Sequence, residues 1–350
     1  DMTDAVLYKT SFVRTNLRNA ALLGATLYES NFAFANLQGA QLYGARMTGA
    51  YLHAANLDQT SFRGAGAYSA NFSNTSGSGT SFRSASLVGS TFEEAVLAQA
   101  DFQKSNLTWV DFRKVNLSSP QMQNSNLTMA DLREATLTMA DLTEAILVKA
   151  DLRGADLMSA DLTRANLGGA VYDKDTRLPP SADRSAMVLI GPFSNLAGAN
   201  LTSIKLNRAD LQGADLTGAT LNAGRLIGAK LKNANLTSSI AHEVDFTLAK
   251  LSGARLINAD LEQSSLFQAN LQGADLTGAN LKNADLQGAD LSNAILKGAN
   301  LAGADLTKAK YAPAEANLTG ADLTGVLYSP STRWPTGFSP PPTAQLVPNP

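Results

Sequence analysis

From residue 7 onward a large apolar side chain returns at nearly every fifth position: Leu7, Phe12, Leu17, Leu22, Leu27, Phe32, Leu37 and onward in one frame to Leu167 and Tyr172. Two residues before each centre stands Ala, Ser or Thr in most repeats. Directly before it there is often Asp or Asn, as in Ala150-Asp151-Leu152 and Ala165-Asn166-Leu167. The unit reads A-[D/N]-L-x-x. A period of five suits neither regular element: on a helix each step moves the apolar position by about 140°, and on a strand successive steps fall on opposite faces. The chain must therefore bend at every repeat, turning the central residue and the small residue two before it inward while the x-x pair forms a corner. Glycine at the second corner position, as at Gly24, Gly39, Gly154 and Gly213, fits turns that need a positive φ. The pattern predicts an all-β solenoid of short extended pieces.

The phenylalanines set the number of repeats per turn. All eight Phe centres of this array, at 12, 32, 62, 72, 82, 92, 102 and 112, end in 2, and none falls on the interleaved series. An even number of pentapeptides per coil follows. Two would not enclose side chains, so four per 20-residue coil is the simplest answer. Phe12, Phe32, Phe72, Phe92 and Phe112 then stack in one column, and Phe62, Phe82 and Phe102 in the opposite one, at the ~4.8 Å inter-strand spacing. The coil centred on Phe62, Ala67, Phe72 and Gly77 sets two large residues against two minimal ones, as a close-packed interior requires.

A second array runs in fives from Leu196 to Leu306 and Tyr311. Of its centres between 196 and 306, 21 are Leu, the exceptions being Ala241 and Phe246. A two-residue insertion near Pro313 resets the frame to Leu318, Leu323 and Tyr328. The arrays close alike, Y-D-K-D-T-R-L-P at 172–179 paralleling Y-S-P-S-T-R-W-P at 328–335. The organisation is thus a first array over 1–172, an interrupting segment over 173–195, a second array over 196–328 and a Pro-rich tail over 329–350. The interruption is expected to pack over the end of the first array and cover its strand edge, with an exposed partner-binding loop as the sharper alternative. The tail from Ser339 is expected to be extended and poorly ordered. Met2 is already in register, so the chain opens inside a repeat. Residues upstream, a removed leader or end-to-end contact with a partner would account for that uncapped edge.

On these repeats the chain resembles the pentapeptide-repeat proteins, over about 310 of its 350 residues. The resemblance implies a right-handed quadrilateral β-helix, here of about 15 coils in two arrays.

Composition removes most chemistry. There is no Cys, and His53 and His242 are the only histidines, so disulfides, thiolate metal sites and thiol nucleophiles are excluded and no metal or cofactor site is expected. Lys plus Arg total 28 against 30 Asp plus Glu, for a formal charge of −2. That balance holds in both arrays and supplies no basic surface for nucleic acid. No apolar stretch is long enough to span a bilayer. The recurring Asp and Asn read as structural, bonding backbone groups at the corner, and both histidines read as solvated corner residues. No catalytic residue is assigned.

Taking every twentieth residue gives the outer columns. Tyr8, Tyr28 and Tyr68 share one, with Thr48 between and Val88 beyond; Trp109 and Met129 are neighbours in another. These five aromatic and Met side chains are the candidate partner-contact surface. Arg113, Arg133 and Arg153 also stack, with Asp111, Asp131 and Asp151 two residues before them, which favours a self-neutralising ladder over an anion site. The leading reading is a non-catalytic scaffold or protein-interaction module. Long chains of the resembled family abound in cyanobacteria in cytoplasmic, lumenal and membrane-linked forms, and the two closures look cyanobacterial. A larger membrane-associated or photosynthesis-related assembly is therefore one expected setting, with a cytoplasmic or, after leader removal, a thylakoid-lumen or periplasmic location. The alternatives are a DNA-mimic inhibitor of gyrase, which the even charge argues against, and the soluble domain of a membrane protein like those of heterocyst glycolipid deposition.

Overall fold

The computed structural model describes residues 1–309, 317–332, 334–335 and 337–347, and the chain divides into two compact units, Asp1–Val188 and Leu189–Pro350. Within each unit the chain lies parallel to itself at a fixed offset. In the first, Val6 bridges Thr26, Ser11 bridges Asn31 and Asn16 bridges Asn36; in the second, Asn195 bridges Asp215 and Asn200 bridges Thr220. Each step is 20 residues, so four pentapeptides pass before the backbone meets itself. Ile295 pairs with Asn317 and Asn300 with Asp322, an offset of 22 that accommodates two extra residues. Tyr311, Pro313 and Arg333 lie outside the described residues.

One repeat shows why the pattern closes. Around Leu37, the N–H of Leu37 donates to Asn56 O (2.9 Å), that of Gly39 to Asp58 O (2.8 Å) and that of Asn36 to Thr15 O (3.0 Å), while Ala40 N–H closes the turn on Leu37 O (2.8 Å). The fifth donor, Gln38 N–H, has no backbone acceptor in reach and takes the Asn36 side-chain oxygen at 3.1 Å. This is the physical use of Asp or Asn before the centre: it satisfies the one main-chain donor that the ladder leaves over. The same bond recurs from Gln103 to Asp101, Thr128 to Asn126 and Thr277 to Asp275.

The corner carries an i to i+3 hydrogen bond and a positive φ at its third residue, the mark of a type II turn. Glycine is not required there. Lys9 (φ 53°), Asn19 (57°), Trp109 (58°) and Met129 (58°) adopt the conformation too. Each of these positions is held by its N–H bond to the next rung, as Trp109 N–H is to Thr128 O at 3.0 Å. The expectation tied to Gly was therefore too narrow, because the ladder imposes the left-handed region on whatever residue stands there.

Inside, most centres and most residues two before them are buried, those at the ends of the first array, such as Leu7, Phe12 and Tyr172, only in part. Phe72 lies over Phe92 with ring centroids 4.6 Å apart and planes 3° apart, and Phe62 over Phe82 at 5.0 Å. The two columns meet edge to face, Phe72 against Phe82 at 5.4 Å and 89°. Gly77 is needed for its size: a Cβ there would sit 2.8 Å from the Leu57 carbonyl carbon. Where Thr or Ser replaces the small Ala, the hydroxyl in several repeats reaches a main-chain carbonyl of the preceding rung, as Thr60 does to Leu37 O (2.7 Å) and Ser264 to Ala241 O (2.6 Å), and in others the carbonyl of its own turn, as Thr75 does to Phe72 O (2.8 Å). A buried hydroxyl is thereby kept satisfied.

Both closures use a threonine. Thr176 Oγ1 donates to Leu152 O (2.9 Å) and accepts from Asp173 N–H (3.0 Å), and Thr332 Oγ1 does the same with Leu306 O (2.9 Å) and Ser329 N–H (3.0 Å). Beyond the first closure Leu178 joins the core, Ala182 and Met187 pack against it, and Val188 N–H reaches Ala170 O at 2.8 Å. In the second unit the described part of the Pro-rich tail adds a strand. Gln345–Leu346 pairs in parallel with Leu327–Tyr328, Gln345 N–H donating to Val326 O and Val347 N–H to Tyr328 O. The prolines lack donors, but the residues after them do not, and an open strand edge is available to both.

Candidate interaction surface

The outward side chains fall into columns set by the 20-residue offset, and three adjacent columns of the first unit stand apart. One is Gly66, Ser86, Asn106, Asn126 and Ile146, bridged rung to rung. Its neighbours are Tyr68, Val88, Thr108, Thr128 and Val148, then Ser69, Gly89, Trp109 and Met129. Down to the rung of Met129 none of these residues is charged; the third column continues to Lys149. Thr108 and Thr128 donate their hydroxyls to Asn106 and Asn126 Oδ1 at 2.7 and 2.6 Å, so their polar groups are satisfied within the face. Trp109 is about half exposed at 53%, and its Nε1–H points at Met129 Sδ, 3.1 Å away. Tyr68 is exposed on the same side.

Tyr8 and Tyr28 extend the tyrosine column toward residue 1, in a more charged setting. Tyr8 OH donates to Glu29 Oε1 at 3.3 Å, and Lys9 lies 5.1 Å from its ring centroid. Outside the tyrosine and Trp109 columns, Ile146, Phe34, Tyr43 and Tyr51 are also exposed in the first unit. The full set of every-twentieth-residue columns carries that signal.

The arginine ladder sits on a different column. Arg113 Nε and Nη2 grip Asp111 at 2.9 and 2.6 Å and Nη2 also meets Glu93 at 3.0 Å; Arg133 and Arg153 hold Asp131 and Asp151 in the same two-pronged way. Arg133 further approaches Asp151, at 3.5 Å. Hydrogen bonding to Asp111 and Asp131 raises the pKa of Arg113 and Arg133, and burial pushes the Asp151 carboxyl up. The guanidiniums are thus engaged by carboxylates of the adjoining column on the same face.

The histidines are not simply solvated. His53 Nδ1 meets Ser73 Oγ at 2.9 Å and its ring stands edge-on to Phe34. His242 Nε2 lies 2.5 Å from Asp260 Oδ2, with Glu262 adjoining. Burial pushes the Asp260 carboxyl up, but the His242 imidazole, Glu262 N–H and the Asn280 amide outweigh it and hold the carboxyl below its ordinary value. Partners 18 and 20 residues away in sequence are invisible until the coil length is applied to every column.

The sequence profile of pentapeptide repeats matches segment after segment from 10–49 to 137–171 and again from 194–233 to 274–310. The chain belongs to the pentapeptide repeat family. Its parallel coil is accordingly a right-handed β-helix. Among solved structures it is similar to HetL, a pentapeptide repeat protein involved in heterocyst differentiation regulation in the cyanobacterium Nostoc, at 25% identity over 88% of this chain and 90% of that one, with a TM-score of 0.24. It is also similar to QnrB1, a plasmid-mediated fluoroquinolone resistance protein, at 18% identity over 53% and 88%, TM-score 0.33. A pentapeptide repeat protein of the Arabidopsis thaliana thylakoid lumen matches at 29% identity over 30% and 68%, TM-score 0.17. No curated protein matches the chain. With these TM-scores the assignment rests on the repeats themselves. The family is one of non-enzymatic structural and interaction proteins, and no helix among the described residues is long and apolar enough to cross a membrane.

Proposed function

We propose that the protein is a non-catalytic scaffold, a four-sided β-helix of about 15 coils in two arrays, that engages a protein partner through the uncharged columns of its first unit. The observation that carries this reading is the stretch from Gly66 to Met129, where three neighbouring columns lack charge and Asn and Thr side chains already satisfy one another. Covering such a face strips water from few unsatisfied polar groups, so apolar contact by Tyr68, Trp109 and Met129 is offset by little desolvation. Tyr8 and Tyr28 prolong the surface. The two Y-x-x-x-T-R-[L/W]-P closures are the basis for placing it in a cyanobacterial or photosynthesis-related setting. The gyrase-inhibitor alternative fits less well, because the Asp111, Asp131 and Asp151 carboxylates are gripped by arginines and the net charge is only −2.

The test is affinity capture with the intact chain and with two variants, Tyr8/Tyr28/Tyr68→Ser and Trp109/Met129→Ser, from a cyanobacterial extract. The expected outcome is a partner held by the parent chain and lost from both variants. Equal recovery by all three would remove the surface from consideration, and inhibition of gyrase supercoiling by the purified protein would favour the DNA-mimic reading instead.

A further inference from the structure

We propose that His242, Asp260 and Glu262 form a binding site for a divalent transition metal ion of the zinc class on the outer face of the second unit. Among the described residues this is the one place where three such side chains bring ligand atoms within 4.8 Å of one another. They come from two successive rungs. His242 follows the buried centre Ala241, while Asp260 and Glu262 flank the next centre in the same column, Leu261, and both point outward.

The repeat that supplies the imidazole departs from the consensus where the site needs it to. Ile240 stands where Asp or Asn would take the His242 N–H, and Asn222 Oδ1 of the preceding rung accepts that donor instead, at 3.0 Å. The His242 backbone is thus pinned while its ring is free to face the next rung. Ala241 in place of Leu is offset inside by the neighbouring centre Phe246, so the rung stays filled. The two carboxylates are held in turn: Asn280 Nδ2 donates to Asp260 Oδ1 at 2.9 Å and reaches Glu262 Oε2 at 3.3 Å, and Glu262 N–H donates to Asp260 Oδ1 at 3.3 Å.

The donor set selects the ion. One imidazole nitrogen and two carboxylates suit Zn²⁺, Co²⁺, Ni²⁺ or Cu²⁺; the absence of sulfur disfavours soft ions, and the imidazole disfavours Mg²⁺ and Ca²⁺. Metal–ligand bonds of about 2.0–2.2 Å place the ligand atoms of a tetrahedral site roughly 3.4 Å apart, so only a modest turn of the exposed carboxylate is needed. Lys282 Nζ, 3.7 Å from Glu262 Oε1, is half exposed and would swing into solvent. The ion would stitch the two rungs together and keep outward positions for water.

The experiment uses the full chain, stripped with a chelator and titrated with ZnCl₂ by calorimetry at neutral pH, with CoCl₂ absorption as a second probe. One equivalent per chain is expected at micromolar affinity. His242→Ala and Asp260→Asn should each weaken it at least about tenfold, the scale on which even outer partners of a metal act, while His53→Ala leaves it unchanged. With two histidines in the chain, NMR gives a reading without any variant: zinc shifts the His242 ring signals and not those of His53. Binding should fall on acidification, because protons compete with the ion for its ligands. No uptake by the parent chain, equal affinity in His242→Ala, or zinc shifts at His53 alone would each overturn the site.

Discussion

The two units run the same hydrogen-bonded ladder on different fillings. The first packs six fully buried phenylalanines, Phe62 to Phe112, into two interleaved stacks balanced by Ala67 and Gly77, with Phe32 stacked apart on Phe12; the second is filled almost wholly by Leu over Ala, with one Phe246 balanced by Ala241. Their exteriors differ as well. The first bears the uncharged columns and the arginine ladder, whereas the second carries linked polar columns such as Asp215, Thr217 and Asn235, in which Asn235 Nδ2 donates to Thr217 Oγ1 at 2.7 Å. Since the backbone bonds are common to both, volume per rung is the quantity the interior conserves, and the outside is left to vary.

The strongest way to break that comparison is to empty one rung of the aromatic stack. Phe82 is sandwiched between Phe62 and Phe102 and touches Phe72 and Phe92 edge-on. Phe82→Ala should destabilise the first unit by about 3–5 kcal/mol, read as a lowered midpoint in chemical denaturation. If Phe82→Ala is no worse than a surface change, the stacks are not what holds this interior.

A smaller effect tests compensation in the second unit. Ala241→Leu should overfill its rung and cost about 1–3 kcal/mol, and pairing it with Phe246→Leu should restore most of the loss. Additive damage in the double variant would mean that volume is not shared between neighbouring centres.

The smallest effect is electrostatic. The Asp161, Asp215 and Asp322 carboxyls are held below the ordinary carboxylate range by hydroxyl and then backbone hydrogen bonds from Thr163, Thr217 and Thr324. A carboxyl depressed in the folded state contributes stability that is complete above its unfolded pKa of about 3.9 and is lost as pH falls through its folded value. Thermal midpoints should therefore drop on acidification below about pH 4. Asp215→Asn should lessen that drop while changing neutral-pH stability by no more than about 0.5 kcal/mol, since Asn fills the same role in other repeats.

Much of this was legible in the chain. The parity of the Phe positions gave the 20-residue offset, and the stacking of Phe72 on Phe92 at 4.6 Å is the observation that tests it most directly. The role of Asp and Asn followed from their place before the corner. What escaped were contacts that no local pattern encodes: the Ser and Thr hydroxyls reaching a carbonyl 23 residues back, the tail strand at Gln345–Leu346, and His242 against Asp260. Each depends on what the neighbouring rung offers. The positive φ at Lys9 or Trp109 was hidden for a different reason, because local preference points to Gly and the ladder overrides it.

The offset of 20 carries one further consequence. The backbone ladder is indifferent to any change in multiples of five, but the exterior and the phenylalanine stacks keep their arrangement only in multiples of twenty. Loss or gain of a single pentapeptide among the Leu-over-Ala rungs of the second unit would change the interior little while moving every later outward residue of that unit one place around the girth. Slippage during replication of such a gene is therefore a means of reshuffling the outer decoration of the protein without refolding it.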